Sequence, residues 1–303
     1  MIAFEAPNRS PSLRSAEALL DRYFVLTTVA PTMILMLLVF AVPLVMSIIL
    51  SVHGWNPASG RLAERFVGLD NFAYLLSDSR FLRSVALTAT YTVVVVAVEM
   101  LLGLCLALLL NIDLPAIRLL RSVLVIPMMF TPIVGAICWK LLFDAKAGII
   151  NYALGNNIVW LGEPNTAMIA IGVANVWQNA PFVAILLLAG LRSIPDGPLE
   201  AAAIDGATLW QSFLYVVLPL LRPYIIIALL LRTIFEFRSF DNVFGMTFGG
   251  PADSTTVLSI FTYILSFVQF DLGLGAAASW IMVCIVLMVC AILIRILQRE
   301  DAR

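Results

Sequence analysis

The sequence predicts an all-α polytopic membrane protein with six transmembrane helices. Of its 303 residues, 62% are hydrophobic and only 12% are charged, whereas a soluble domain is about half apolar and about a quarter charged. A helix needs about 20 apolar residues to cross the hydrocarbon core of a bilayer, and the chain contains six apolar runs of about that length. Its four cysteines lie within these runs without CxxC spacing, which predicts small buried apolar side chains rather than a disulfide or a metal site.

The six predicted spans differ in their proline and charge content. Span three contains Pro127 and Pro132, and span one also contains two prolines. Transmembrane helices tolerate proline where neighbouring helices satisfy the freed carbonyl groups. Span two contains Glu99, and span five contains Arg232 and Glu236. In chain order, the predicted spans are residues 24–52, 84–110, 119–142, 166–191, 221–241 and 274–297.

Six spans place both termini on one side of the membrane. We interpret residues 1–23 as a cytoplasmic N-terminal segment, 24–297 as the membrane domain and 298–303 as a cytoplasmic tail. In this direction the inner segments carry ten of the 18 Lys and Arg residues and the outer segments carry seven, with Arg232 inside the membrane, as the positive-inside rule favours. The long loops, at about 53–83, 143–165 and 242–273, are then external.

A polar segment between spans four and five, residues 192–220, predicts a first short helix. Asp196 is expected to cap its N-terminus, and Pro198 fits its first turn. Glu200 lies near the helix start, where a negative charge complements the macrodipole. Gly206 is expected to end the helix in a left-handed conformation that other residues resist.

A second short helix is predicted to follow at once. Thr208 and Gln211 have the S/T-x-x-E/Q spacing of a capping box, and Pro219 is expected to break the helix before span five begins. The result would be a separately folded helical segment across the end of the bundle, with alanines on its surface. These residues alone fit both an ordinary interfacial helix and a docking surface for another protein.

This segment resembles the EAA loop of permease subunits in ATP-binding-cassette importers, the cytoplasmic coupling helix on which a separate ATPase docks. The resemblance therefore implies a role in ATPase coupling for a set of residues within the segment. These residues are Glu200, Ala201, Ala202, Asp205, Gly206, Leu218 and Pro219.

Three further segments resemble carbohydrate-type permeases of the maltose importer class: residues 66–72 (FVGLDNF), 240–243 (FDNV) and 247–251 (TFGGP). The resemblance implies a non-enzymatic subunit in the bacterial plasma (inner) membrane. With a second, homologous permease it would form the path for a carbohydrate or related polyol. Two copies of a cytoplasmic ATPase, which bind ATP and Mg²⁺, and an extracytoplasmic solute-binding protein would complete the importer. No cofactor is expected in this chain.

Three charged side chains lie within the predicted spans: Glu99, Arg232 and Glu236. A charge at the bilayer centre costs about 2.5–3.5 kcal/mol on insertion scales, so each of these residues suggests a role. Arg232 and Glu236 are four residues apart and share a helix face. Arg232 therefore either forms an ion pair with Glu236 or Glu99 that locks the bundle, or lines the solute path.

Span four carries a polar and aromatic group around its proline. Asn175, Gln178 and Asn179 can donate and accept hydrogen bonds, and Trp177 can stack on a sugar ring. These residues suit a path for a hydroxyl-rich solute. They suit equally the interhelical hydrogen bonds that membrane bundles use.

Two other functions remain alternatives. An ion-gradient-driven secondary transporter commonly shows internal repeats and midplane acids, and an intramembrane enzyme would need a catalytic constellation that a chain with the single histidine His53 lacks. The chain has no recognisable nucleotide-binding motif, and its net charge of −1 does not favour nucleic acid. Sugars, glycosides and glycerol phosphate esters all remain candidate solutes, and Arg232 keeps an anionic sugar derivative open.

Overall fold

The computed structural model describes residues 23–24, 28–55, 65–112, 115 and 117–301. Within them, five helices are long and apolar enough to cross a membrane, and the number is six when one bent helix pair counts as a single span. This confirms the predicted all-α, polytopic class. Most of the predicted N-terminal segment lies outside the described residues. The observed spans one to six are Ala30–Ser51, Ser79–Leu110, Ile117–Met129 with Pro132–Leu142, Pro164–Ser193, Leu209–Phe237 and Leu272–Asp301.

Short elements connect the spans. A two-stranded antiparallel hairpin pairs His53–Gly54 with Arg65–Phe66 after span one. The long connection at 242–273 is partly helical: the structure forms two helices there, and Leu258 and Ile260 are fully buried. These apolar side chains fold back against the bundle, so this connection contributes to the core. The short helices are Asp70–Ser77, Ile149–Leu154, Asp196–Ile204, Asp241–Met246 and Leu258–Tyr263.

Spans two and four form the centre of the bundle, with spans three and five packed against them and span one against span six. The contact between spans two and four depends on Gly103. A Cβ atom at this position would lie 2.5 Å from Val183 Cγ1 on span four, closer than real Cβ contacts. The missing side chain therefore sets how closely the two central helices approach.

Span three is broken rather than continuous, which corrects the single span predicted at 119–142. Its two helices meet at an angle of 98°. Pro132 begins the second helix, and Thr131 before it is extended, because a residue that precedes proline avoids the helical region. The Phe130 carbonyl oxygen at the break instead accepts a hydrogen bond of 3.0 Å from Gln178 Nε2 of span four.

Span five begins earlier than predicted. The capping box is confirmed: the Thr208 N–H donates to Gln211 Oε1 at 2.8 Å, and Thr208 Oγ1 accepts from the Gln211 N–H. The break predicted at Pro219 is wrong, because the helix runs on through a π-helical turn at Phe213–Val217. The wider i→i+5 turn lies just before the proline and accommodates a residue that lacks an N–H and crowds the preceding turn.

The cysteines are free, as predicted, but they are not buried. Cys105, Cys138 and Cys284 are exposed in the isolated chain and Cys290 is half-buried. The outward-facing side chains near these cysteines are mainly apolar, and span one has no buried residue within its most apolar window. An apolar thiol is as stable on a lipid-facing surface as in a core, so apolar runs in a membrane helix do not report burial inside the protein.

Candidate functional site

The centre of the bundle holds a charged cluster around Arg232 of span five. Its Nε donates to Glu99 Oε2 and its Nη2 to Glu99 Oε1, both at 2.8 Å. The same Nη2 donates to Glu236 Oε2 at 3.0 Å. The ion pair predicted for Arg232 is therefore present, and it involves both acids rather than one of them.

A ring of polar side chains extends the cluster to span four. Asn175 Nδ2 donates to Glu236 Oε1 and lies 3.0 Å from the hydroxyl oxygen of Tyr91 on span two. Asn179 Nδ2, one turn further along, donates to Asn175 Oδ1. Spans two, four and five therefore converge on one hydrogen-bonded network, in which Asn175 forms the interhelical hydrogen bonds and Asn179 bonds within span four.

The cluster is almost completely removed from solvent. The exposed fraction is 4% for Arg232, 0% for Glu99 and 2% for Glu236. In a buried pair the attraction must offset the desolvation of both charges, and removing one partner typically costs about 3–5 kcal/mol. One guanidinium faces two carboxyl groups, so the cluster is neutral or negative whether one acid or both are ionised.

A cleft of about 490 Å³ opens beside this cluster. Five of the predicted path residues line it: Asn175, Gln178, Asn179, Arg232 and Glu236. The other two do not line it. Glu99 lies behind Arg232, and Trp177 packs against the rings of Phe130 and Trp139 at centroid distances of 5.9 and 5.7 Å.

Sequence reasoning missed much of the cleft wall. Several of the missed residues are apolar side chains of the broken span three and of spans four and five, whose inward direction no local pattern reveals. Arg238 and Asp241 are charged and exposed, and Asp241 lies in the FDNV segment that resembles carbohydrate-type permeases. The missed lining residues are Met128, Phe130, Pro132, Phe182, Phe235, Arg238, Ser239, Phe240, Asp241 and Asn242. Within the described ranges, no group of three or more His, Cys, Asp or Glu side chains could hold a metal ion.

The short helix Asp196–Ile204 lies at the end of span four and is largely exposed. The cap predicted at Asp196 is wrong: Pro195 occupies the N-cap position, and Asp196 lies in the first turn without capping through its side chain. The predicted stop is confirmed. Gly206 has φ +74°, and its N–H donates to Ala203 O while the Ala207 N–H donates to Ala202 O. This is the paired hydrogen-bond pattern of a Schellman motif.

Large apolar side chains surround this turn and face outward. The exposed fraction is 86% for Ile204, 92% for Leu209, 67% for Trp210 and 76% for Tyr215. An exposed apolar patch of this kind is typical of a contact with another protein or with the membrane interface. The predicted coupling residues Glu200, Ala201, Ala202, Asp205 and Gly206 lie on or directly after the short helix, whereas Leu218 and Pro219 lie in span five.

Comparison with known proteins gives consistent matches over most of the chain. The model of the family described as binding-protein-dependent transport system inner membrane component matches residues 11–303. A trehalose/maltose transport system permease protein of Thermococcus litoralis is 40% identical, over 71% of this chain and 74% of the relative. A sulfoquinovosyl glycerol transport system permease protein of Agrobacterium fabrum is 32% identical, over 93% and 92%.

The fold also matches a solved structure. The crystal structure of a bacterial ABC transporter involved in the import of the acidic polysaccharide alginate superposes with a TM-score of 0.80 and 20% identity. The match covers 94% of this chain and 99% of that chain. At this identity the likeness shows a shared fold.

Proposed function

Because this chain belongs to the family of binding-protein-dependent transport system inner membrane components, we propose that it imports a carbohydrate or a related polyol as one permease subunit of an ATP-driven importer. The family membership sets aside the ion-gradient-driven transporter that the sequence left as an alternative. The chain's own part in import is to form one side of the solute path and to move when the ATPase moves.

The observation that carries the carbohydrate assignment is the 40% identity with the trehalose/maltose permease. The cleft supports it, because its wall combines carboxamides, two guanidinium groups and aromatic rings, groups that bind hydroxyl-rich molecules by hydrogen bonds and by stacking. Relatives named for trehalose/maltose and for sulfoquinovosyl glycerol leave the charge of the solute open.

We further propose the partners that complete the importer. A second, homologous permease would supply the other wall of the path, and a binding protein would deliver the solute from outside. Two copies of an ATPase, which hold ATP and Mg²⁺, would dock on the exposed turn around Gly206. Both termini and the short helix Asp196–Ile204 would then lie in the cytoplasm. Closure of the ATPase pair would push this helix and turn the cleft outward.

Purification and transport together test this proposal. Affinity purification of the tagged chain from its native membrane is expected to bring a second permease and an ATPase in stable association. In proteoliposomes with the binding protein, a sugar, glycoside or glycerol phosphate ester should accumulate only when ATP is present on the ATPase side. Uptake that follows an imposed ion gradient without ATP, or a chain that purifies alone yet transports, would overturn the proposal.

A further inference from the structure

We propose that this wall of the path admits an uncharged carbohydrate and rejects anionic derivatives, and that Glu236 and Glu99 set this preference by neutralising Arg232. The inference rests on the proposed import of a carbohydrate. The sequence alone leaves an anionic solute possible because of Arg232, whereas the structure pairs this cation with the protein's own acids.

The positive charge of Arg232 is already paired with acids of the protein itself. Its Nε and Nη2 atoms make three hydrogen bonds to carboxylate oxygens, at 2.8, 2.8 and 3.0 Å. Two of them form a bidentate pair with Glu99, the strongest arrangement for these groups. A solute anion would have to compete with both acids inside a site that is nearly closed to water.

The charged residues of the cleft, together with Glu99 behind it, include more acids than cations. Besides Arg232 and Glu236, the charged residues among its described lining are Arg238 and Asp241, both exposed and of opposite sign. With Glu99 behind Arg232, two cations stand against three acids. The wall is therefore neutral or negative as long as at least one of the two buried acids is ionised, and an anion brought against it is disfavoured.

The cleft wall offers a hydrogen-bond acceptor and aromatic faces to a solute. Asn179 donates through Nδ2 to Asn175, and its Oδ1 accepts no hydrogen bond from the residues that the structure describes. That oxygen can accept from a hydroxyl group. Phe130, Phe235 and Phe240 add aromatic faces on the same cleft. Hydroxyl acceptors and aromatic rings, on a wall whose cations do not outnumber its acids, fit a neutral sugar.

The test compares one uptake ratio between importer variants that share the same binding protein, so that the selectivity of the binding protein cancels. ATP-driven uptake by the reconstituted importer is measured for a neutral sugar and for an acidic analogue, which is a uronic acid or a phosphate ester. The acidic analogue is one that the same binding protein binds in a direct titration. The wild-type importer should favour the neutral sugar by at least about tenfold. Glu236→Gln should lower this ratio severalfold, and Glu163→Gln, which removes an exposed acid outside the cleft, should leave it unchanged.

A second variant keeps the test decisive if the buried substitution prevents assembly. Asp241→Asn removes a negative charge from the exposed part of the wall and should lower the ratio in the same direction by a smaller factor. Equal uptake of both solutes by the wild type, or a ratio that neither variant moves, would overturn the charge preference while leaving carbohydrate import intact. A failure to take up any sugar would instead refute the proposed function on which the inference rests.

Discussion

Replacing Arg232 by methionine separates its structural role from a role in binding solute. The substitution leaves two buried acids without their cation, and we expect a loss of about 3–5 kcal/mol in stability, because breaking a buried pair leaves uncompensated charge. The two acids should not contribute equally to this loss of stability. Among the described residues, both Glu99 oxygens bind only Arg232, whereas Glu236 also accepts a hydrogen bond from Asn175.

A second substitution should therefore rescue stability unequally. Adding Glu99→Gln to Arg232→Met should recover more than adding Glu236→Gln, by about 1.5–3 kcal/mol, the contribution of a hydrogen bond to a charged group. Thermal unfolding of the purified importer, followed by the fraction that stays monodisperse after heating, measures this order. Arg238→Met is the matched control, since Arg238 is exposed on the same cleft and forms no ion pair with a described residue.

Uptake measured on the same samples completes the experiment. If the cluster only holds the bundle together, the double variant with Glu99→Gln should fold and transport. A double variant that is stable, hydrolyses ATP and does not transport would show that Arg232 contacts the solute. An Arg232→Met single variant as stable as the wild type would refute the energetic reasoning itself.

Three further predictions concern the turn, the orientation and the packing. Gly206→Val forces a β-branched residue into a left-handed conformation at a cost of about 1–3 kcal/mol and should uncouple ATP hydrolysis from uptake in an assembled importer. Gly197→Val is the control, because Gly197 lies in open space at a position without a positive φ, and it should leave the coupling intact. Unchanged uptake by the Gly206→Val importer would contradict the coupling role. In a background without the four exposed or half-buried cysteines, Ser193→Cys should react with an impermeant thiol reagent only from the cytoplasm and Ser77→Cys only from outside, and the reverse pattern would invert the topology. Gly103→Val should overpack the contact between spans two and four and lower thermal stability by about 1–3 kcal/mol or more, whereas an unchanged melting temperature would show that these helices can separate freely.

Local features of this protein follow from the sequence because each depends on residues near each other in the chain. Hydropathy over about 20 residues indicates a membrane span wherever the span lies in the bundle. The left-handed stop at Gly206 and the capping box that begins at Thr208 each involve only a few neighbouring residues, and the structure confirms both. The spacing of Arg232 and Glu236 likewise places both side chains on one helix face.

Only the tertiary structure decided the contacts that make the site. Glu99 lies 133 positions from Arg232, and its pairing depends on how spans two and five are rotated, which no periodicity specifies. Span three breaks at Pro132, where span four satisfies the carbonyl group at the break. Span five instead continues through Pro219, because a π-helical turn precedes this proline. The sequence by itself determined that this is a six-span permease with a polar turn between spans four and five. The packing of the helices decided that the membrane cation is shared by two acids, because Glu99 of span two reaches Arg232 only where spans two and five pack together.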